Sequence, residues 1–473
     1  MSLLPWLALG PMLLGVGAFV FQGYGRHFYA AAIAAVSALT ALTLGAAQTG
    51  TVHALGHLAA PLGIALRLDM FGWSMLTLNL TVFALTGLYT AFWKQQADRR
   101  HFWPLALFLW GSLNALYLSG DLFNLYVTLE LITLSCVALI AVEGSPRALG
   151  AALGYLFAAW VASLFYLLGV GLTFAHGGVL DLTLLRTAWS ADAIAYLALA
   201  LMAGALMLKS ALFPLHFWLP SAHAAAMTPV SALLSAAAIK GPFYLFFRLQ
   251  ESLEPHALFG AIAGILGAAA IVFGGILAWR STRIKTLIAY STVSQAGYFF
   301  LIFPLWSVGA LQGGLMLIFS HALAKATLFL AAGNLILVSQ SHRLGNLHGT
   351  ARAAPKTVFG AALAAVSLAG LPPAAGFAGK WLMLQSALEA GAWHYAAVLI
   401  AGGLLAMGYL FKLLSHTLGQ SAATAQNLPP VLEWTVLSGG LLCLLGGFFA
   451  PELTGWVRLG FEAAGVHLAG WSP

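Results

Sequence analysis

Apolar runs of about 20 residues, broken by short polar or glycine- and proline-containing segments, succeed one another along the whole chain. They fall near 3–22, 28–47, 71–93, 102–119, 122–141, 148–175, 193–215, 227–248, 257–279, 285–305, 309–339, 357–388, 393–416 and 430–449. A helix needs about 20 such residues to cross a hydrocarbon core of roughly 30 Å, and only helices and closed barrels satisfy their backbone groups there. Barrel strands would alternate polar and apolar positions, whereas these runs are unbroken. The pattern predicts an all-α polytopic membrane protein with about fourteen transmembrane helices, forming one integral domain over 1–473 with no soluble module. The first run has no basic leader and reads as a retained helix, and 451–473 reads as an amphipathic surface helix.

Composition agrees. Hydrophobic residues make up 61% of the chain, charged ones 7%, and the mean hydropathy is +0.92, outside the range of soluble domains. Of the 20 Lys and Arg, eleven fall in one set of loops, from Arg26 through Lys94, Arg99, Arg147, Arg283 and Lys285 to Lys356. Only Arg67, Arg186, Arg248 and Arg458 fall in the other. The positive-inside rule makes the first set cytoplasmic and places both termini on the non-cytoplasmic side. The net charge of +7 is mostly this asymmetry, and its dispersal through short loops gives no nucleic-acid surface. Cys136 and Cys443 lie in different spans and read as packing residues, the histidines show no paired metal-ligand spacing, and Asp121 reads as a helix N-cap.

The remaining five lysines, Lys209, Lys240, Lys325, Lys380 and Lys412, fall inside predicted spans, as does Glu130. Each charge at a helix centre opposes insertion by about 2.5–3.5 kcal/mol, so several together point to use. Burial disfavours the charged form of either residue type, which suits a row of them to exchange protons. Two spans also carry breaks. Pro214 and Pro220 flank His216 in KSALFPLHFWLPSAH, and Pro372, Pro373 and Gly376 interrupt LAGLPPAAGFAGKW. Broken backbone at membrane depth is tolerated only inside protein or beside water, and transporters place it next to the transported ion. Two such spans five helices apart suggest two inverted five-helix repeats, about 102–248 and 257–416, each containing a broken helix.

Five stretches, GDLFNLYVTLEL (120–131), KSALFPLHFWLPSAHAAAMTPVSALLSAAAIK (209–240), RIKTLIAYSTVSQAGY (283–298), SHALAKATLF (320–329) and GLPPAAGFAGK (370–380), together carry a resemblance. The chain resembles the antiporter-like subunits shared by Mrp multisubunit cation/proton antiporters, respiratory complex I and membrane-bound hydrogenases, and GDLFNLYV is most similar to the D-type Mrp subunit. The resemblance implies that Glu130 pairs with Lys209 as a gate, that Lys240 is a central proton carrier, that His321 and Lys325 bridge two half-channels, and that Lys380 is the terminal carrier. The chain departs from the pattern at Met227, where a proline is common, and at Leu317, where some relatives carry a histidine. It implies, too, a prokaryotic cell membrane location and partners that are other integral membrane subunits, including homologous antiporter-like ones. Protons, alone or together with Na⁺, would be carried with no cofactor and no metal site. Two further readings stand beside this one: the proton-pumping membrane subunit of a redox-driven complex, and a non-transporting scaffold, which would be expected to have lost the charged axis.

Overall fold

The computed structural model describes residues 2–93, 100–190, 192–253, 257–419, 428–452 and 454–455. Lys94, Arg99, Arg458 and nearly all of the expected surface helix at 451–473 lie outside these residues. Among the described residues, eight helices are long and apolar enough to cross a membrane: Met70–Phe92, Leu122–Ala141, Pro146–Gly177, Thr228–Ser252, Leu258–Arg280, Ile284–Leu305, Val308–Ser339 and Trp393–Ser415. Leu4–Val20, Phe102–Leu118, Ala193–Lys209, Pro355–Ala369 and Pro430–Leu445 are shorter apolar helices. The expected second span is realised as Gly25–Leu42 followed by a separate turn of helix, Leu44–Thr49. The fold is not purely helical, because Thr51–Ala54 and Ala65–Leu68 form an antiparallel hairpin with Thr51 opposite Leu68.

Four of the five aspartates start helices. Asp69, Asp121, Asp181 and Asp192 each accept a hydrogen bond from a backbone N–H of the first turn, which satisfies donors a helix N-terminus leaves unpaired. Thr228–Ser252 and Val308–Ser339 sit at the centre of the bundle, with 100% and 94% of their most apolar windows buried against protein. Pro146–Gly177 instead turns Leu149, Leu153, Phe157, Trp160 and Leu164 outward, the surface a lipid-facing helix needs. The central helices are therefore the ones that carry Lys240, His321 and Lys325.

Two loop connections repeat. The Asp121–Asp181 bridge carries Leu122 N–H donating to Leu180 O and Leu182 N–H donating to Gly120 O; the Arg283–Arg343 bridge carries Ile284 N–H to His342 O and Leu344 N–H to Thr282 O. Every residue of the second set stands the same distance after its counterpart, since 283 minus 121 and 343 minus 181 both give 162. The first bridge adjoins the cavity at Arg67 and Asp69, the second the cavity at Arg147 and Lys285, and Leu122–Ala141 runs from one face to the other.

Candidate functional site

Glu130 and Lys209 meet between Leu122–Ala141 and Ala193–Lys209. Lys209 Nζ donates to Glu130 Oε1 at 3.1 Å and to Thr133 Oγ1 at 3.0 Å, while the Ser163 hydroxyl donates to Glu130 Oε1. The side chains are 5% and 21% exposed for Lys209 and Glu130, so the carboxylate is the end of the pair that water can reach. Beyond Lys209, a cavity of about 10 Å³ lies against Thr133, Trp218, Leu234, Ala238 and Ile239. That is room for about one water molecule, and it leads toward the Lys240 helix.

Lys240 sits immediately after a π-helical turn, Leu234–Ala238. Such turns widen the helix by one residue and often mark functional sites. Here the turn presents Ser235 O to Lys240 Nζ at 2.7 Å, and on its other side Nζ lies 2.8 Å from His321 Nδ1. A proton between these two bases can belong to either. One turn further along Val308–Ser339, Lys325 Nζ donates to Ile288 O at 3.0 Å and to the Ser291 hydroxyl. Lys240, His321 and Lys325 are all essentially unexposed.

From Lys325 the polar face of Ile284–Phe300 continues as Ser291, Ser294, Gln295 and Tyr298, the i, i+3, i+4, i+7 spacing of one helix face. Gln295 Nε2 lies 3.4 Å from Tyr409 Oη, and Lys380 Nζ lies 4.8 Å from the Tyr298 ring centroid. Lys380 also donates to Leu368 O at 2.8 Å and Ala369 O at 3.1 Å, the open carbonyls at the end of Pro355–Ala369. The second break is thus held by its own lysine.

The two breaks are built differently from a simple proline kink. Ala193–Lys209 ends at Lys209, the Phe213–Pro214 peptide is cis, and the next helix is Leu219–Ala225 with Pro220 in its first turn, where a missing N–H is no loss. Trp218 Nε1 donates back to Leu208 O at 3.0 Å. His216 stacks on Phe213 and meets Tyr290 in a T-shaped contact. In the second break Pro372–Pro373 is cis and Gly370 adopts φ +83°, a left-handed cap that suits glycine. A Cβ at Gly376 would collide with the Ser367 carbonyl oxygen. Gly376→Ala is therefore expected to lower the thermal midpoint of the extracted protein by the equivalent of about 1–3 kcal/mol or more, whereas an alanine at the open Gly171 position should leave it unchanged.

Two charged residues are not where the sequence pattern puts them. Lys285 is a buried side chain donating to Ala226 O at 2.7 Å, on the wall of a cavity of about 790 Å³ shared with Glu143, Arg147, Arg283 and His342. Arg248 is no loop cation: it is buried, hydrogen-bonded to Asp69 at 2.6 and 2.7 Å and to Glu251 at 2.8 Å. Lys412 caps the Trp279 and Ser281 carbonyls at 2.6 and 2.9 Å. His223, unassigned by sequence, is fully buried, stacks on Phe329, and has no protein hydrogen-bond partner at either ring nitrogen among the described residues. Cys136 and Cys443 are buried, unpaired thiols.

Residues 119–406 match the family described as NADH:quinone oxidoreductase/Mrp antiporter, TM. The NADH-quinone oxidoreductase N subunit of Desulforudis audaxviator is 36% identical over 386 residues, 78% of this chain and 77% of the relative. The D-type subunit of the Na(+)/H(+) antiporter of Alkalihalophilus pseudofirmus is 29% identical over 377 residues, 77% and 76% of the two chains. A chain of the Mrp complex from Dietzia sp. superposes with a TM-score of 0.90 at 25% identity, covering 98% of this chain and 96% of that one. With an oxidoreductase subunit and a D-type antiporter subunit both among these relatives, the GDLFNLYV wording does not single out the D type. The broken helices, the interior lysines around them and the family match lead to one statement: this chain belongs to the NADH:quinone oxidoreductase/Mrp antiporter family of membrane subunits.

Proposed function

We propose that this chain is a proton-translocating subunit of a multisubunit Mrp-type cation/proton antiporter, carrying protons alone or together with Na⁺, seated in the cell membrane of a prokaryote. The observation that carries the reading is the run of interior titratable groups from Glu130 and Lys209, through Lys240 with His321 and Lys325 with Ser291, to Lys380. When the Glu130–Lys209 pair is closed, the carboxylate holds the proton on Lys209; when it opens, the proton passes toward Lys240 and onward. The pair is the gate. Drive comes from neighbouring membrane subunits, homologous antiporter-like ones among them, since the chain needs no cofactor for this role.

Fourteen spans in two inverted five-helix repeats are part of the same reading. The 162-residue register of two matching bridges on opposite faces supports it, and the Arg147, Arg283 and Lys285 cavity marks the cytoplasmic face by the positive-inside rule. Both termini then lie outside. The oxidoreductase relative at 36% identity favours a second reading, a pump driven by an attached redox arm. Capturing the tagged chain from native membranes and identifying its companions by mass spectrometry separates the two. Small membrane subunits with a larger homologous one support the antiporter; iron–sulfur, nickel or flavin subunits replace it with the redox-driven pump.

A further inference from the structure

Arg248 stands eight residues after Lys240 in Lys240–Ser252, about 12 Å along the helix axis and, at two turns with Tyr244 between them, on the same face. It lies toward the face of the Asp121–Asp181 bridge. Its guanidinium grips both oxygens of Asp69, donates to Glu251 and to Tyr244 Oη, and lies over the rings of Phe71 and Tyr244. Tyr244 in turn donates to Tyr117 O at 3.0 Å. All three charged groups are sealed, at 7%, 3% and 4% side-chain exposure for Arg248, Asp69 and Glu251. Beyond the clamp opens a cavity of about 190 Å³ lined by Arg67, Asp69, Arg186 and Glu251. The helix that carries Lys240 thus leads toward a cavity on the outer face, and Arg248 with its two carboxylates stands at that end of it.

Arginine is suited to stopping protons in a way lysine is not. Its guanidinium does not deprotonate in proteins, so it cannot accept and release a proton as Lys240 can. A fixed positive charge in a narrow passage is also the barrier by which some pores exclude protons. Arg248 is the fixed cation of the clamp, and Arg67 and Arg186 line the cavity beyond it together with Asp69 and Glu251. Burial alone would raise the Asp69 carboxyl, but Arg248, Arg67 and the Gly72 N–H hold it below the usual carboxylate range, so Asp69 stays ionised at physiological pH.

The second half of the chain carries a related contact near its own first span. Trp279 O and Ser281 O, which Lys412 caps, stand 162 residues after Tyr117 and Ser119, the register of the two bridges. In the first half Tyr244 reaches Tyr117 O, although Tyr244 and Lys412 themselves stand outside that register.

We propose that the Arg248–Asp69–Glu251 clamp is the outer seal of the first half-channel, which prevents protons on Lys240 from escaping to the cavity at Arg67 and Arg186. The proposal rests on Lys240 being a carrier. Its test uses the whole complex in proteoliposomes, with passive proton leak measured by an enclosed pH dye in the absence of any drive. Arg248→Gln is expected to raise the leak at least fivefold, and adding Lys240→Met should return it to the wild-type rate. Because Arg248→Gln strands a buried carboxylate, the pair Asp69→Asn with Arg248→Gln is measured alongside, with the same expectation. A leak no higher than wild type in the assembled variants overturns the seal, and so does a leak that persists with Lys240→Met, since the proton path would then bypass the carrier. Driven transport by Lys240→Met alone separates the two claims: if it survives, the carrier reading has failed, and if it is lost while Arg248→Gln stays tight, only the seal has.

Discussion

Lys209→Ala and Glu130→Ala are each expected to reduce driven proton transport at least tenfold while the complex still assembles. The two variants should differ in stability, and the geometry says in which direction. Removing one partner of a fully buried ion pair costs about 3–5 kcal/mol, because the other charge is left without compensation. Here the pair is asymmetric, with Glu130 21% exposed and Lys209 only 5%. In Lys209→Ala the carboxylate keeps Ser163 and can take up water, so the cost falls below that range. In Glu130→Ala the ammonium keeps Thr133 and a cavity with room for about one water molecule, and the stability loss is larger. Thermal midpoints of the extracted variants, with Glu130→Ala the lower, check the asymmetry; proton flux in proteoliposomes checks the gate. A gate variant that is unstable but transports at the wild-type rate would reduce the pair to a packing element.

Lys240→Met is expected to abolish transport with little or no loss of stability, the reverse of what Gly376→Ala should do. Lys240 has no carboxylate partner; its Nζ contacts are Ser235 O and His321 Nδ1. Replacing a buried charge with an apolar side chain of similar length removes a desolvation cost that packing does not recover, and methionine fills irregular space well. What is lost is the only basic nitrogen within hydrogen-bonding reach of His321 Nδ1 among the described residues. Driven flux should fall at least tenfold, while the thermal midpoint should stay level or rise. A midpoint several degrees lower with flux retained would mean that Lys240 anchors the π-turn and carries nothing.

Most of the axis was legible because each of its members violates the surrounding pattern. A lysine or glutamate in an unbroken apolar run stands out on its own, and prolines at 214, 220, 372 and 373 mark the breaks without any knowledge of the fold. The residues between these charged groups were harder to read. Ser291, Ser294, Gln295 and Tyr298 do follow helical spacing inside the RIKTLIAYSTVSQAGY stretch, yet small polar residues are ordinary in membrane helices, and only Lys325 and Lys380 lying beside them give them meaning. The π-turn before Lys240 is signalled only indirectly, by Pro242, whose missing N–H leaves the Ala238 carbonyl without its i+4 donor. Arg248 was misplaced because a cation near a span end reads as a loop charge, whereas its partner Asp69 stands 179 residues away. The hairpin at 51–54 and 65–68 was missed for a related reason: eight residues of strand between two helices leave little alternation to detect.

Proton flux by the complex carrying Lys209→Ala, reconstituted beside wild type and driven by whichever gradient or electron donor the captured complex uses, tests the central claim most directly. With the chain present at full stoichiometry in both preparations, flux in the variant is expected to fall to the level of protein-free vesicles. Flux at half the wild-type rate or more would contradict the account, because protons would then be crossing without the Glu130–Lys209 gate.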